Sequence, residues 1–146
     1  MPEAEVTNAA NTSRKSRVIY LAGGFHSGWQ KLVWQKLGAA WDIRDPSKHG
    51  IQDAASFTEW DLQAIRDCDV VLAMLEPSNP GGYALALEVG YAKALGKVIY
   101  LVHHQDDPRS RYFSMLREVS NGCFGSLSSA LEVLEPSERQ PGFNAA

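Results

Sequence analysis

Cysteine is scarce in this chain: only Cys68 and Cys123 occur in 146 residues. They form neither a C-x-x-C pair nor a zinc-ligand spacing, and two are too few for a disulfide scaffold. Both are therefore expected to be reduced and buried. There is no excess of basic charge either. A net charge of −3 leaves no electrostatic footprint for a nucleic-acid polymer or an anionic membrane. No apolar run reaches the roughly 18 residues that cross a bilayer, and the chain does not open on a hydrophobic signal segment. A cytoplasmic location is expected.

Several catalytic signatures are also missing. No Walker loop, G-x-S-x-G elbow or H-E-x-x-H pair occurs. Gly23, Gly24 and Gly28 read G-G-x-x-x-G, so the spacing that brings a dinucleotide pyrophosphate to a helix is absent. His103, His104, Asp106 and Asp107 crowd together without a helical H-x-x-x-H pair, and are expected to form a solvated loop. Neither a metal nor an organic cofactor is expected.

What is present fits one globular domain, with 45% hydrophobic and 21% charged residues. Residues 1–16 and 136–146 have the composition of polar tails and leave a domain over 17–135. Short apolar runs predict strands at Arg17–Ala22, Ala40–Arg44, Asp69–Leu75, Lys97–His103 and Cys123-Phe124. Between them, helical spacing predicts helices over Ser27–Leu37, Asp53–Cys68, Tyr83–Leu95, Ser110–Val119 and Ser126–Leu134. Alternation of this kind implies a flavodoxin-like (Rossmann-like), doubly wound α/β domain with about five parallel strands and helices on both faces. Its ligand crevice lies beyond the carboxyl ends of the strands, where the loops beginning at Gly23, Asp45, Glu76 and His104 meet.

Two acids stand where hydrophobic residues are expected. Glu88 is the single charged residue between Pro80 and Ala92, in a helix apolar nearly all round and so expected to be buried on more than one side. Asp61 interrupts the stripe formed by Phe57, Trp60, Ala64, Ile65 and Cys68. Burying a carboxylate is expensive, so such an acid is either paired or kept for chemistry. In the first case Glu88 is buried by a subunit partner or paired with Lys93 or Arg66. Asp61 can equally form an ion pair or sit at the exposed end of its stripe. Tyr20 on the first strand can pack in the core or hydrogen-bond a carboxylate. Phe25, His26 and Trp29 after the paired glycines offer an aromatic wall for a flat ligand.

Four blocks together resemble the nucleoside 2-deoxyribosyltransferase family: Tyr20–Phe25 (YLAGGF), Trp60–Ile65 (WDLQAI), Asp67–Val70 (DCDV) and Glu88–Ala92 (EVGYA). The resemblance spans roughly residues 17 to 103 in order and spacing. It implies cleavage of the N-glycosidic bond of a 2′-deoxynucleoside and transfer of the sugar to a free nucleobase. Glu88 matches the family nucleophile, Tyr20 the tyrosine that orients it, and Asp61 the acid that holds the base or moves a proton. Phe25, beside Gly23 and Gly24, matches an aromatic that stacks on the base, and Asp45 falls in a loop that reads the base edge. Transferases of the family have an aspartate six residues before the nucleophile, contacting the sugar 5′-hydroxyl; related deoxynucleoside 5′-monophosphate N-hydrolases have a serine. Here that position is Gly82, so the contact is expected from Asn79 or from the backbone of Gly81 and Gly82. The resemblance further implies a homo-oligomer with shared sites, for which Met115 and Asn144 are candidates. The alternatives are an N-glycoside hydrolase acting on a nucleoside or its monophosphate, and a non-catalytic nucleotide-binding domain.

Overall fold

A computed structural model describes residues 17–77 and 82–136. The apolar, β-branched run at the start of this region forms β1 (Arg17–Gly23), followed by α1 (Trp29–Leu37) and β2 (Trp41–Arg44). A 3₁₀ turn, Pro46–Lys48, leads to α2 (Ala54–Asp67) and then to β3 (Val70–Leu75). Next come α3 (Tyr83–Ala94), β4 (Val98–His103), a second 3₁₀ turn (Ser110–Phe113), α4 (Ser114–Val119), β5 (Gly122–Phe124) and α5 (Leu127–Leu134). The helix ends follow local chemistry. Asp53 caps α2 by accepting from Ser56 N at 2.8 Å, and Ser126 caps α5 by accepting from Ser129 N. Gly96 turns the chain after α3 with φ 75°, a conformation other residues rarely adopt.

The five strands pair in parallel in the order β2-β1-β3-β4-β5, the flavodoxin-like arrangement. Strand order reverses between β1 and β3, which opens a crevice at their carboxyl ends. Alternate residues of β1 serve opposite faces. Ile19 and Leu21 pack with Val33, Leu37 and Leu131 on the α1/α5 side. Tyr20 and Ala22 pack with Ile65, Val89 and Leu101 on the side of α2, α3 and α4. This alternation places the Tyr20 phenol beneath α3. Among the described residues, no helix is long and apolar enough to cross a membrane.

Four expectations are revised. Ser110–Val119 is a 3₁₀ turn followed by a short helix. Neither segment has a side-chain N-cap, and tightening to i→i+3 bonds is one way to satisfy the free N–H groups. Cys68 is buried, but Cys123 is exposed, because it lies on a three-residue edge strand. The loop after β4 folds back over the strand end, so His103 and Asp107 are buried rather than solvated, with His103 Nε2 3.3 Å from Asp107 Oδ2. Finally, α3 buries Leu85, Glu88, Val89 and Ala92 only. Its outer side leaves Tyr83 85% and Leu87 62% exposed, since a single sheet face can cover only one side of a helix. The proposed tails, apart from Pro136, lie outside the described residues, as do Asn79, Gly81 and Asn144.

Candidate active site

Tyr20, fully buried on β1, donates its hydroxyl to Glu88 Oε2 at 2.6 Å. Glu88 is the sixth residue of α3, on the side facing the sheet, and is 8% exposed. Neither Lys93 nor Arg66 is its partner: Arg66 bonds Tyr91, Gln63 and Glu59 instead. Asp61, on the neighbouring α2, has an 18% exposed side chain and lies 3.5 Å from His49 Nε2. Together Tyr20, Asp61, Glu88 and His49 supply the main polar side chains of a cavity of about 670 Å³. Its walls include Phe25, Pro46, Ile51, Phe57, Tyr83 and Leu85, and its size lies in the range of small-molecule sites.

The electrostatics follow from burial. Desolvation pushes the Glu88 carboxyl up to about 7; the Tyr20 hydrogen bond pulls it down, while Asp61 pushes it up. Burial also raises Asp61, offset in part by His49 and by a hydrogen bond with Glu88. The Tyr20 phenol is pushed far up by burial and then by the Glu88 charge, so it remains a donor. Burial and mutual repulsion make it costly to ionise both of these adjoining carboxyls at once. Such a pair can present one anionic oxygen and one proton to a single ligand. Among the described residues, no group of three or more His, Cys, Asp or Glu side chains is arranged to hold a metal ion.

The remaining candidates separate. Gly23 and Gly24 line the cavity beside Phe25, which stands 58% exposed at its mouth. A Cβ on Gly23 would lie 2.6 Å from the Met74 carbonyl oxygen, so only glycine lets this loop cross β3 so closely. Gly82 also lines the cavity, but its φ is 82° and a Cβ there would lie 3.3 Å from Leu75 and 3.4 Å from Phe113. A carboxylate does not fit this backbone without strain. The Asp45 carboxyl is committed elsewhere, accepting from Ser47 N at 2.9 Å and from Trp34 Nε1 at 2.9 Å. It shapes the β2–α2 loop but does not line the cavity. Met115 is 78% exposed and lines a second hollow, between α3 and α4.

Sequence reasoning missed two residues. His49 falls between the expected strand Ala40–Arg44 and the expected helix Asp53–Cys68, yet it lines the cavity beside Asp61. Glu76, which closes the apolar run of β3, is fully buried and holds the β1–α1 loop. Its carboxylate accepts from Ser27 N at 2.6 Å and from the Ser27 hydroxyl, and more weakly from His26 N at 3.4 Å. An acid directly after a continuously apolar strand was the available signal.

Residues 19–126 match the family model described as nucleoside 2-deoxyribosyltransferase. No curated protein matches the sequence. Among solved structures, the fold is similar to that of a 2-deoxyribosyltransferase from Leishmania mexicana, with a TM-score of 0.65 and 23% identity, covering 81% of this chain and 96% of that one. It is similar to a CMP N-glycosidase from Clostridium botulinum, with a TM-score of 0.59 and 22% identity, covering 81% and 97%. A 2-deoxyribosyltransferase from Bacillus psychrosaccharolyticus superposes with a TM-score of 0.63 at 18% identity, covering 83% and 92%.

Proposed function

Since the chain belongs to the nucleoside 2-deoxyribosyltransferase family, we propose that it cleaves the N-glycosidic bond of a 2′-deoxynucleoside and passes the sugar to a second base. The observation carrying this reading is the buried Glu88 carboxyl, held by Tyr20 at 2.6 Å in a cavity that Asp61 shares. Tyr20 engages Oε2, which leaves Oε1 for attack on C1′. The C1′–O bond forms as C1′–N breaks. The bonding electron pair goes to the base nitrogen, and Asp61 supplies a proton to the departing base. A second base then attacks C1′, returns a proton to Asp61 and releases Glu88. Two inversions retain configuration. Each displacement passes through an oxocarbenium-like state, which a nearby anion stabilises, and a sugar without a 2′-hydroxyl forms that cation more readily.

Phe25 would stack on the base at the cavity mouth, with the Gly23-Gly24 backbone against its edge. The 5′ end of the sugar would meet the start of α3, through Asn79 or the N–H groups of Gly81 and Gly82. One observation favours a second reading: Gly82 lacks the carboxylate that transferases of the family place there, as do the related hydrolases. Water would then replace the second base.

Incubating a deoxynucleoside with excess of a different free base separates these readings. A new nucleoside is the expected product. Free base with free sugar alone would assign hydrolysis instead, and no release of base at all would overturn both. Trapping a deoxyribosyl adduct on Glu88 by mass spectrometry tests the nucleophile directly.

A homo-oligomer belongs to the same proposal. Tyr83, Leu87, Tyr112 and Met115 are 85%, 62%, 69% and 78% exposed along α3 and the adjoining segment. A second copy of the chain would cover this apolar surface and could bring Met115 toward the partner's cavity.

A further inference from the structure

We propose that His49 is a positioning residue for Asp61, fixing which of its carboxylate oxygens meets the departing base; this rests on the glycosidic reading above. The imidazole is anchored from behind. Ile51 N donates to His49 Nδ1 at 3.0 Å, so the lone pair of Nδ1 is in use and the proton of the neutral ring lies on Nε2. Nε2 in turn lies 3.5 Å from Asp61 Oδ1. Both atoms are shielded from solvent, and among the described residues neither has a hydrogen-bond partner, so each faces the other. The Trp60 ring packs edge-on against the imidazole, centroid to centroid 4.7 Å, and limits its tilt.

A 3.5 Å separation is longer than an established hydrogen bond. Catalytic hydrogen bonds are often long in a ligand-free protein and shorten when charge develops. In this proposal the His49–Asp61 pair is such a contact. When C1′–N breaks, the electron pair passes to the base nitrogen and the proton of Asp61 follows it. Asp61 is left negatively charged in the cavity that it lines together with Glu88 and Tyr20. The Nε2–H of His49 is then the donor for Oδ1, while Oδ2 is the oxygen that gave up the proton. His49 is therefore worth more in the transition state than in the ground state. It touches no reacting atom and acts through Asp61.

Two nearly isosteric substitutions separate this role from simple loop anchoring. His49→Asn keeps an acceptor for Ile51 N but removes the donor toward Asp61. His49→Gln keeps a donor near Nε2 but gives up the Ile51 anchor. Both are compared with wild type on deoxynucleosides of graded leaving ability: deoxyuridine against its 5-fluoro derivative, and deoxyguanosine against its 7-methyl derivative, whose base departs without needing a proton. The expected result is a loss of about 10–100-fold for His49→Asn on the ordinary substrates, below the roughly 10²–10⁴-fold of direct leaving-group assistance because His49 acts through Asp61, and a several-fold smaller loss on the activated ones. His49→Gln recovers most of the rate. The reverse order, with Asn tolerated and Gln impaired, or an equal loss on every substrate, overturns the proposal. If His49→Asn does not fold, a loss beyond about tenfold in folded His49→Gln overturns it as well. Wild-type protein that releases base from none of the four overturns the glycosidic reading itself, and this inference with it.

Discussion

The hydroxyl of Tyr20 on β1 and the carboxylate of Glu88 on α3, 68 residues apart, meet at 2.6 Å beneath the switch point of the sheet. Three facts produce the contact. Side-chain alternation turns Tyr20 toward α3, parallel pairing seats β3 beside β1, and the turn at Gly82 starts α3 over the crevice. The bond satisfies a phenol that would otherwise be buried without a partner, and it fixes one oxygen of an acid that burial holds near neutral.

Tyr20→Phe removes the contact that pulls Glu88 down, so the Glu88 pKa rises further above about 7. The nucleophile must be ionised. Activity is expected to fall about tenfold or more at pH 7, the scale of one hydrogen bond to a charged group, with a smaller loss at pH 9. The acid limb of a pH–rate profile should move to higher pH. An unmoved limb would mean that Tyr20 does not tune Glu88.

Glu88→Gln is expected to abolish turnover yet stabilise the fold in alkaline buffer. The Glu88 carboxyl goes from about 4.5 in the unfolded chain to about 7 when folded. Its contribution to stability is full below pH 4.5 and is lost as pH rises through 7. Above that, ionising the buried acid costs about 3 kcal/mol, and a neutral amide that still accepts from Tyr20 avoids the cost. Denaturant melts at pH 5 and pH 8.5 check this; the gain should appear only at the higher pH.

Glu76→Ala should loosen the β1–α1 loop, because Ser27 N and its hydroxyl lose their common acceptor. We expect a destabilisation of about 1–3 kcal/mol, the scale of hydrogen bonds to a charged group. Since Phe25 and the paired glycines belong to that loop, KM should rise more than kcat falls. Thermal melts with steady-state kinetics provide the check, and a pure kcat effect would disconnect the loop from substrate binding.

Leu87→Glu places a charge on the uncovered side of α3 without touching the cavity lining. The variant should sediment as a smaller species than wild type, with its helix content unchanged by circular dichroism. Wild type that sediments only as a monomer would leave no role for a second copy.

Much of this architecture was readable from local pattern. Strand periodicity, the Asp53 and Ser126 caps and the Gly96 stop depend on neighbours within a few residues, so the chain itself displays them. Glu88 and Asp61 were also readable, because an acid within an apolar helical stripe conflicts with the cost of desolvation wherever the helix lands. The sequence by itself therefore determined the layer order and the two acids.

Other roles required the tertiary structure. His49, Asp45 and Glu76 are polar residues at loop positions, where solvent and a buried partner are equally compatible with the local pattern. Folding alone decided that Asp45 holds Trp34 and Ser47, that Glu76 holds Ser27, and that His49 faces Asp61. The same holds for His103 and Asp107, hidden by a loop that returns over the strand end. An apolar periodicity is written into the chain at each helix, whereas the partner of a polar loop residue depends on which distant backbone arrives beside it.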